Sequence, residues 1–299
     1  MTHRSLRHAL MCVLALVHIL LFLRVDALAE PGKHFLWKVQ SSSGTAYLLG
    51  SLHFLRRDAY PLPRSIEDAF DSSEILVVEA NINDLSRVDV AKLLERAFYE
   101  GGDSLERHLS KETYDAARRR LEDNGLPPQL VNRQKPWYAA LTLTSLELMK
   151  MGFDPNYGID SYFLTRAGGR MKIVELESID FQVDLLSGFS DREQELFLKY
   201  SISDLDLIRS EADTLLRVWR NGDVRGLESL LGKSAANEHG MSSIYEKLFS
   251  ARNAQMTSKI EGLLRMRDTC FVIVGAGHLV GEKGILEALK RKGYSVHQL

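Results

Sequence analysis

The closing run "CFVIVGAGHLVGEKGILEALKRKGYSVHQL", residues 270 to 299, decides the class of fold. Cys270 to Val274 is an unbroken apolar stretch, short and rich in β-branched side chains, which predicts a strand buried on both faces. Gly275 and Gly277 interrupt it, a helical pattern follows over "KGILEALKRKG", and "YSVHQL" reads as a last strand. Strand, helix and strand in this order belong to an α/β protein.

Working outward, "HFLWKVQ" (34 to 40) and "TAYLLGS" (45 to 51), separated by Ser-Ser-Ser-Gly, predict a hairpin, and "EILVVEANI" (74 to 82) predicts an interior strand ending near Glu79. A short helix is expected over "RSIEDAFDSS". From about 84 to 157 the apolar spacing is helical, with Gly125 and Pro127-Pro128 as punctuation. "RMKIVELES" (170 to 178) reads as a strand between helices at about 158 to 167 and 179 to 187. A second helical block runs from Asp191 to about Met266, its last helix lined by Met256, Ile260, Leu263 and Leu264. The expected architecture is a mixed central β-sheet with helical insertions in one domain over residues 30 to 299.

The chain has 299 residues, 45% hydrophobic and 26% charged, enough to bury a sizeable core. Residues 1 to 29 differ in kind: Arg4 and Arg7, an apolar run from Ala9 to Leu23, then Ala27-Leu28-Ala29. That order predicts a cleaved signal peptide and an exported protein, periplasmic or secreted, anchored to a membrane only if the leader is retained. Cleavage after Ala29 removes Arg4, Arg7, Arg24 and Asp26, leaving 35 basic and 39 acidic side chains. This balance, with "ARRRLE" (117 to 122) on an amphipathic helix, excludes a nucleic-acid footprint. Cys270 is then the one remaining cysteine and reads as a packed thiol.

The turn from Gly275 to Gly281 has the context of a dinucleotide fingerprint but not its spacing. Its last glycine comes one residue late and the acidic residue about 20 positions on is missing. Taken alone, such a turn is explained by close packing around glycine. Repetition of the pattern points to chemistry. "LLGSLH" and "IVGAGH" each place glycine three residues before histidine at the end of an apolar strand, and "LVVEA" ends a third strand with Glu79. Ligands of open α/β sheets bind outside the carboxyl ends of the strands, so His53, Glu79 and His278 are expected to meet there if their strands are neighbours. Two imidazoles and a carboxylate suit a divalent metal of the Mn, Co or Zn class that activates water. They equally suit metal-free chemistry with Glu79 as base. There is no HExxH helix and no CxxC pair to decide between them.

Five other residues are candidates around that trio. Arg252 in "ARNAQM" suits an oxyanion, a substrate carboxylate or an ordinary ion pair, Arg56 and Arg57 likewise, and Asp160 and Glu177 are candidate supports for the site, Glu177 as acceptor for a ligand histidine. His108, His239 and His297 lack a glycine turn and read as structural or exposed, and Trp137 and Trp219 as core anchors.

The paired Gly50 to His53 and Gly275 to His278 elements, the intervening Glu79 and the closing "GAGHLVGEKGILEALKRKGYSV" resemble the TraB/PrgY/GumN family, related to the Tiki proteases. "PWYAALTL" (136 to 143), "YGIDSYFLTRAGGRMKIVELES" (157 to 178) with Gln182 after it, "VWRNGD" (218 to 223) and "ARNAQM" (251 to 256) resemble its blocks in order. Ser51 stands where many members have threonine. The resemblance implies an α/β fold with His53, Glu79 and His278 lining one site, with Gly50, Gly275 and Gly277 as its turn glycines, and a metal-dependent peptidase branch acting on peptide or small-molecule substrates. It also implies an alternative, an envelope protein that sequesters a peptide or haem-like ligand without turnover.

Overall fold

A computed structural model describes residues 32–84, 86, 88–235 and 240–299. The expected leader and His239 lie outside the described residues. Six strands form one sheet: β1 (Leu36–Gln40), β2 (Thr45–Ser51), β3 (Ile75–Val78), β4 (Lys172–Glu175), β5 (Cys270–Gly275) and β6 (Ser295–Gln298). Their order is β4-β3-β5-β2-β1-β6. The first four of that order run parallel, and β1 pairs antiparallel with β2 on one side and β6 on the other.

Local chemistry explains the elements. Ser41 Oγ accepts from the Gly44 N–H (2.9 Å) and so closes the predicted hairpin between β1 and β2. Every residue of β5 is buried, as its unbroken apolar run requires of a central parallel strand. Phe70, Phe163 and Phe271 pack ring to ring against the sheet, with centroids 4.7 to 5.4 Å apart. Cys270 is part of that core, and burial pushes its thiol up to about 11.

The region from 84 to 157 resolves into helices Val90–Ala97, Lys111–Asp123, Pro128–Arg133 and Pro136–Lys150. Prolines stand at the first position of the last two, where no intrahelical N–H is needed. Helix Asp191–Arg220 begins with a capping box between Ser190 and Glu193. It packs along Pro136–Lys150 to build a second core around Trp137, whose Nε1 donates to the Arg96 carbonyl. Helices Ile159–Ala167 and Ile179–Ser187 flank β4 as the spacing predicts, while β3 and β4 are shorter than the segments 74 to 82 and 170 to 178 read as strands. Among the described residues no helix is long and apolar enough to cross a membrane.

Candidate active site

The strand order places β5 between β3 and β2, and all three point their carboxyl ends the same way. Glu79 follows β3, His53 follows β2 by two residues, and His278 sits in a single helical turn, Ala276–Leu279, that starts where β5 stops. His278 Nε2 lies 3.8 Å from Glu79 Oε1, and the charge of Glu79 acts on His53. The turn glycines serve packing and hydrogen bonding, with no left-handed backbone at Gly275, whose φ is −50°. A Cβ on Gly50 would lie 2.5 Å from the Phe35 ring, and the Gly275 N–H donates to Glu79 Oε1 at 2.6 Å. Gly277 is buried within the His278 turn.

Glu177 lies beside Glu79, because β3 and β4 continue pairing past their ends through the Glu177 N–H to the Glu79 carbonyl (2.7 Å). Two buried carboxylates on neighbouring strands repel, and Arg252 resolves this. Its Nε and Nη2 grip both oxygens of Glu177 (2.8 and 2.7 Å) while Nη2 also donates to Glu79 Oε2 (2.8 Å). Gln182 donates to the same two carboxylates, at 2.9 Å to Glu177 and 3.3 Å to Glu79. Of the readings the sequence allowed, Arg252 takes the ordinary ion pair, and Glu177 accepts from Arg252 and Gln182.

The two histidines are held differently. His53 Nδ1 is 2.7 Å from Asp160 Oδ2, in the first turn of helix Ile159–Ala167. Burial by itself lowers the His53 pKa, but the charge and hydrogen bond of Asp160, with the charge of Glu79, outweigh it and the pKa is raised. His278, fully buried, has Nδ1 2.5 Å from Asn253 Oδ1. Glu79 itself is pushed upward, first by burial and then by Glu177, against the pull of Arg252 and the Gly275 N–H. Ser51 Oγ is buried at the end of β2 with no hydrogen-bond partner among the described residues.

Asn253 escaped the sequence reading, and so did the reason it can reach the site. Helix Ala251–Leu264 is preceded by a π-turn, Glu246–Ser250, and a π-turn both shifts helix register and loosens carbonyls. Arg252 Nη1 takes up the Leu248 carbonyl of that turn (3.1 Å). Arg252 and Asn253, though adjacent, both reach groups at the carboxyl ends of the strands. Of the remaining sequence candidates, Arg56 pairs with Asp213 and lies over Phe153, Arg57 is exposed, and His108 pairs with Asp103. Trp219 Nε1 holds the Gly50 carbonyl (2.6 Å), which makes it a packing anchor under the first glycine turn. A cavity of about 340 Å³ lined by Phe35, Tyr60, Ile66 and Trp219 includes none of the candidate site residues.

The expectation that His53, Glu79 and His278 ligate one divalent ion meets a partial fit in this arrangement. Both Nδ1 atoms face oxygen acceptors, so the imidazoles are in the ligand form, but Glu79 has Oε1 on the Gly275 N–H and Oε2 on Arg252. Among the described residues no group of three His, Cys, Asp or Glu side chains is arranged to hold a metal ion.

Comparison with known proteins places this geometry in context. The model of the TraB/PrgY/gumN family matches residues 35–298. The uncharacterized protein YbaP of Escherichia coli (strain K12) is 25% identical over 264 residues, covering 87% of this chain and 94% of its own. An uncharacterized protein of Treponema pallidum is 24% identical over 90% of this chain and 83% of its own length. A metalloprotease TIKI homolog of Amphimedon queenslandica is 25% identical over 89% of this chain and 61% of its own. No solved structure matches.

Proposed function

Because the chain belongs to the TraB/PrgY/gumN family, we propose that it is a hydrolase of peptide or amide bonds with His53 as its proton-transferring residue. The observation that carries this reading is the His53–Asp160 pair, set at the carboxyl end of β2 within the field of Glu79. The similarity to a protein named as a metalloprotease supports the substrate class. The basic, apolar and small-residue order of residues 1 to 29 supports action outside the cytoplasm.

The chemistry runs through groups on the chain. Asp160 accepts only, so His53 carries a proton on Nδ1 and a lone pair on Nε2. Nε2 takes a proton from water as its oxygen bonds to the substrate carbonyl carbon. Asp160 stabilises the resulting imidazolium, which returns the proton to the departing amine as the C–N bond breaks. Glu79, clamped by Arg252 and Gly275, lies beside His278. The Ser51 hydroxyl is a donor already stripped of water and suited to orient the substrate.

The test is turnover of a peptide library by the purified protein and by His53→Ala and Glu79→Gln variants. Cleavage that His53→Ala abolishes supports the proposal. Absence of any product, or stoichiometric retention of a peptide without product, overturns it in favour of a binding protein.

A further inference from the structure

Asn253 is buried at 4% exposure and has a partner at each end of its amide. Its Nδ2 donates to the Lys283 carbonyl at 2.9 Å, and a carbonyl only accepts, so the orientation of the amide is fixed by the hydrogen-bond network. Oδ1 therefore faces His278. An amide oxygen also only accepts, so His278 Nδ1, 2.5 Å away, must carry the proton. A neutral imidazole protonated at Nδ1 presents its lone pair at Nε2, the atom 3.8 Å from Glu79 Oε1.

The anchor of this relay is itself built. Gly281 adopts φ +84°, its N–H donates to Glu228 Oε1 (2.9 Å), and the Gly284 N–H closes the turn on the Gly281 carbonyl (2.9 Å). A Cβ on Gly284 would lie 2.4 Å from the Val280 carbonyl oxygen. Lys283 is pinned from outside by Glu246 through Nζ (2.8 Å). The "GEKG" stretch thus holds one backbone carbonyl at a set place, and that carbonyl dictates which nitrogen of a histidine carries hydrogen.

We infer that Asn253 is a positioning residue that fixes His278 as the Nδ1–H tautomer, so that the site holds two histidines of unlike kind. His53, against a carboxylate, is supported as imidazolium and exchanges protons. His278, against a neutral amide, keeps a lone pair at Nε2 as an acceptor for the N–H of a substrate or the O–H of water. The kinetic consequence rests on the hydrolase reading, whereas the tautomer assignment does not.

The experiment is two-bond ¹⁵N–¹H correlation of the histidine rings in the full chain, with the His278 signals assigned by their loss in His278→Gln. The wild type is expected to show the Nδ1–H pattern, Asn253→Ala to lose it, and Asn253→Asp, which can still accept from Nδ1, to keep it. With the best peptide, Asn253→Ala is expected to lower kcat about 10- to 100-fold with KM little changed, and Asn253→Asp to recover part of the loss. An Nε2–H pattern in the wild type overturns the inference, as does an Asn253→Ala protein whose ring pattern and kcat are unchanged although it melts earlier. If Asn253→Ala does not fold, the wild-type and Asn253→Asp spectra decide. If the wild type cleaves nothing, the hydrolase reading fails and the ring spectra alone judge the tautomer.

Discussion

His53 Nδ1 and Asp160 Oδ2 lie 2.7 Å apart across 107 residues of sequence, and this pair gives the site its pH response. The pKa of His53 is raised above 6.5 because Asp160 and Glu79 together outweigh burial. A base must lose its proton to act, so kcat/KM is expected to rise with pH through that raised value. Asp160→Asn removes the carboxylate charge. The acidic limb of the kcat/KM profile then moves to lower pH while kcat falls. The same pair has a stability signature of definite sign: its contribution is full below about pH 6.5 and is lost as pH rises through the folded-state pKa. Melting of wild type and Asp160→Asn should converge at high pH, and a limb that stays in place in the variant would remove His53 from the role of base.

Arg252 is shared as ion-pair partner by two buried carboxylates, so its loss leaves both without a counter-charge. Arg252→Met is expected to cost about 3 to 5 kcal/mol of stability. Adding Glu79→Gln and Glu177→Gln should restore most of it without restoring turnover, since the cost lies in unpaired charge. Urea denaturation of the three proteins checks this. Equal midpoints for wild type and Arg252→Met would show that the ion pair carries no net stabilisation.

Metal removal distinguishes the carboxylate clamp from a metal centre. Both oxygens of Glu79 are engaged by protein donors, so exhaustive chelation should leave turnover unchanged. Loss of activity that manganese, cobalt or zinc restores would show that Glu79 leaves Arg252 to bind an ion.

Much of this architecture is written in the strands. β5 and β3 are buried on both faces and so appear as unbroken apolar runs, and the glycine in the last residues of β2 and of β5 marks where each run ends. His53, Glu79 and His278 could be found because they stand at those ends. The partners could not. Arg252 and Asn253 follow a π-turn that no apolar period announces, and the pairing of Glu177 with Arg252 and not with a histidine goes with β4 lying beside β3. Tertiary neighbours decide ion pairs, and a linear pattern carries little of that information.

Gly158 is another such hidden contact. Its φ of −57° suits any residue, yet a Cβ there would lie 2.2 Å from the His53 carbonyl oxygen and 2.8 Å from its carbon. These are backbone atoms and cannot swing away. Gly158→Ala is expected to push helix Ile159–Ala167, and Asp160 with it, off His53, with an overpacking cost of about 1 to 3 kcal/mol and a loss of turnover. Gly262→Ala is the control: nothing lies within 4 Å of its added Cβ, and alanine in a helix interior gains about 0.5 to 1 kcal/mol over glycine. A Gly158→Ala protein with wild-type melting and turnover would mean that this backbone contact does not hold the pair together.

Asp204, in the helical lobe, tests the opposite kind of linkage. Burial pushes its carboxyl up to about 7, and Oδ2 has no hydrogen-bond partner among the described residues. The unfolded chain releases this proton near pH 4, so between there and about 7 the folded state binds more protons than the unfolded one. Stability must therefore fall as pH rises across that window, by a few kcal/mol in total. Asp204→Asn keeps the shape and removes the ionisation. It should melt near wild type at pH 4, melt clearly higher at pH 8, and flatten the slope between. A wild-type stability curve that rises from pH 4 to 7 with Asp204→Asn running parallel to it would place a charged, solvated carboxylate at this position.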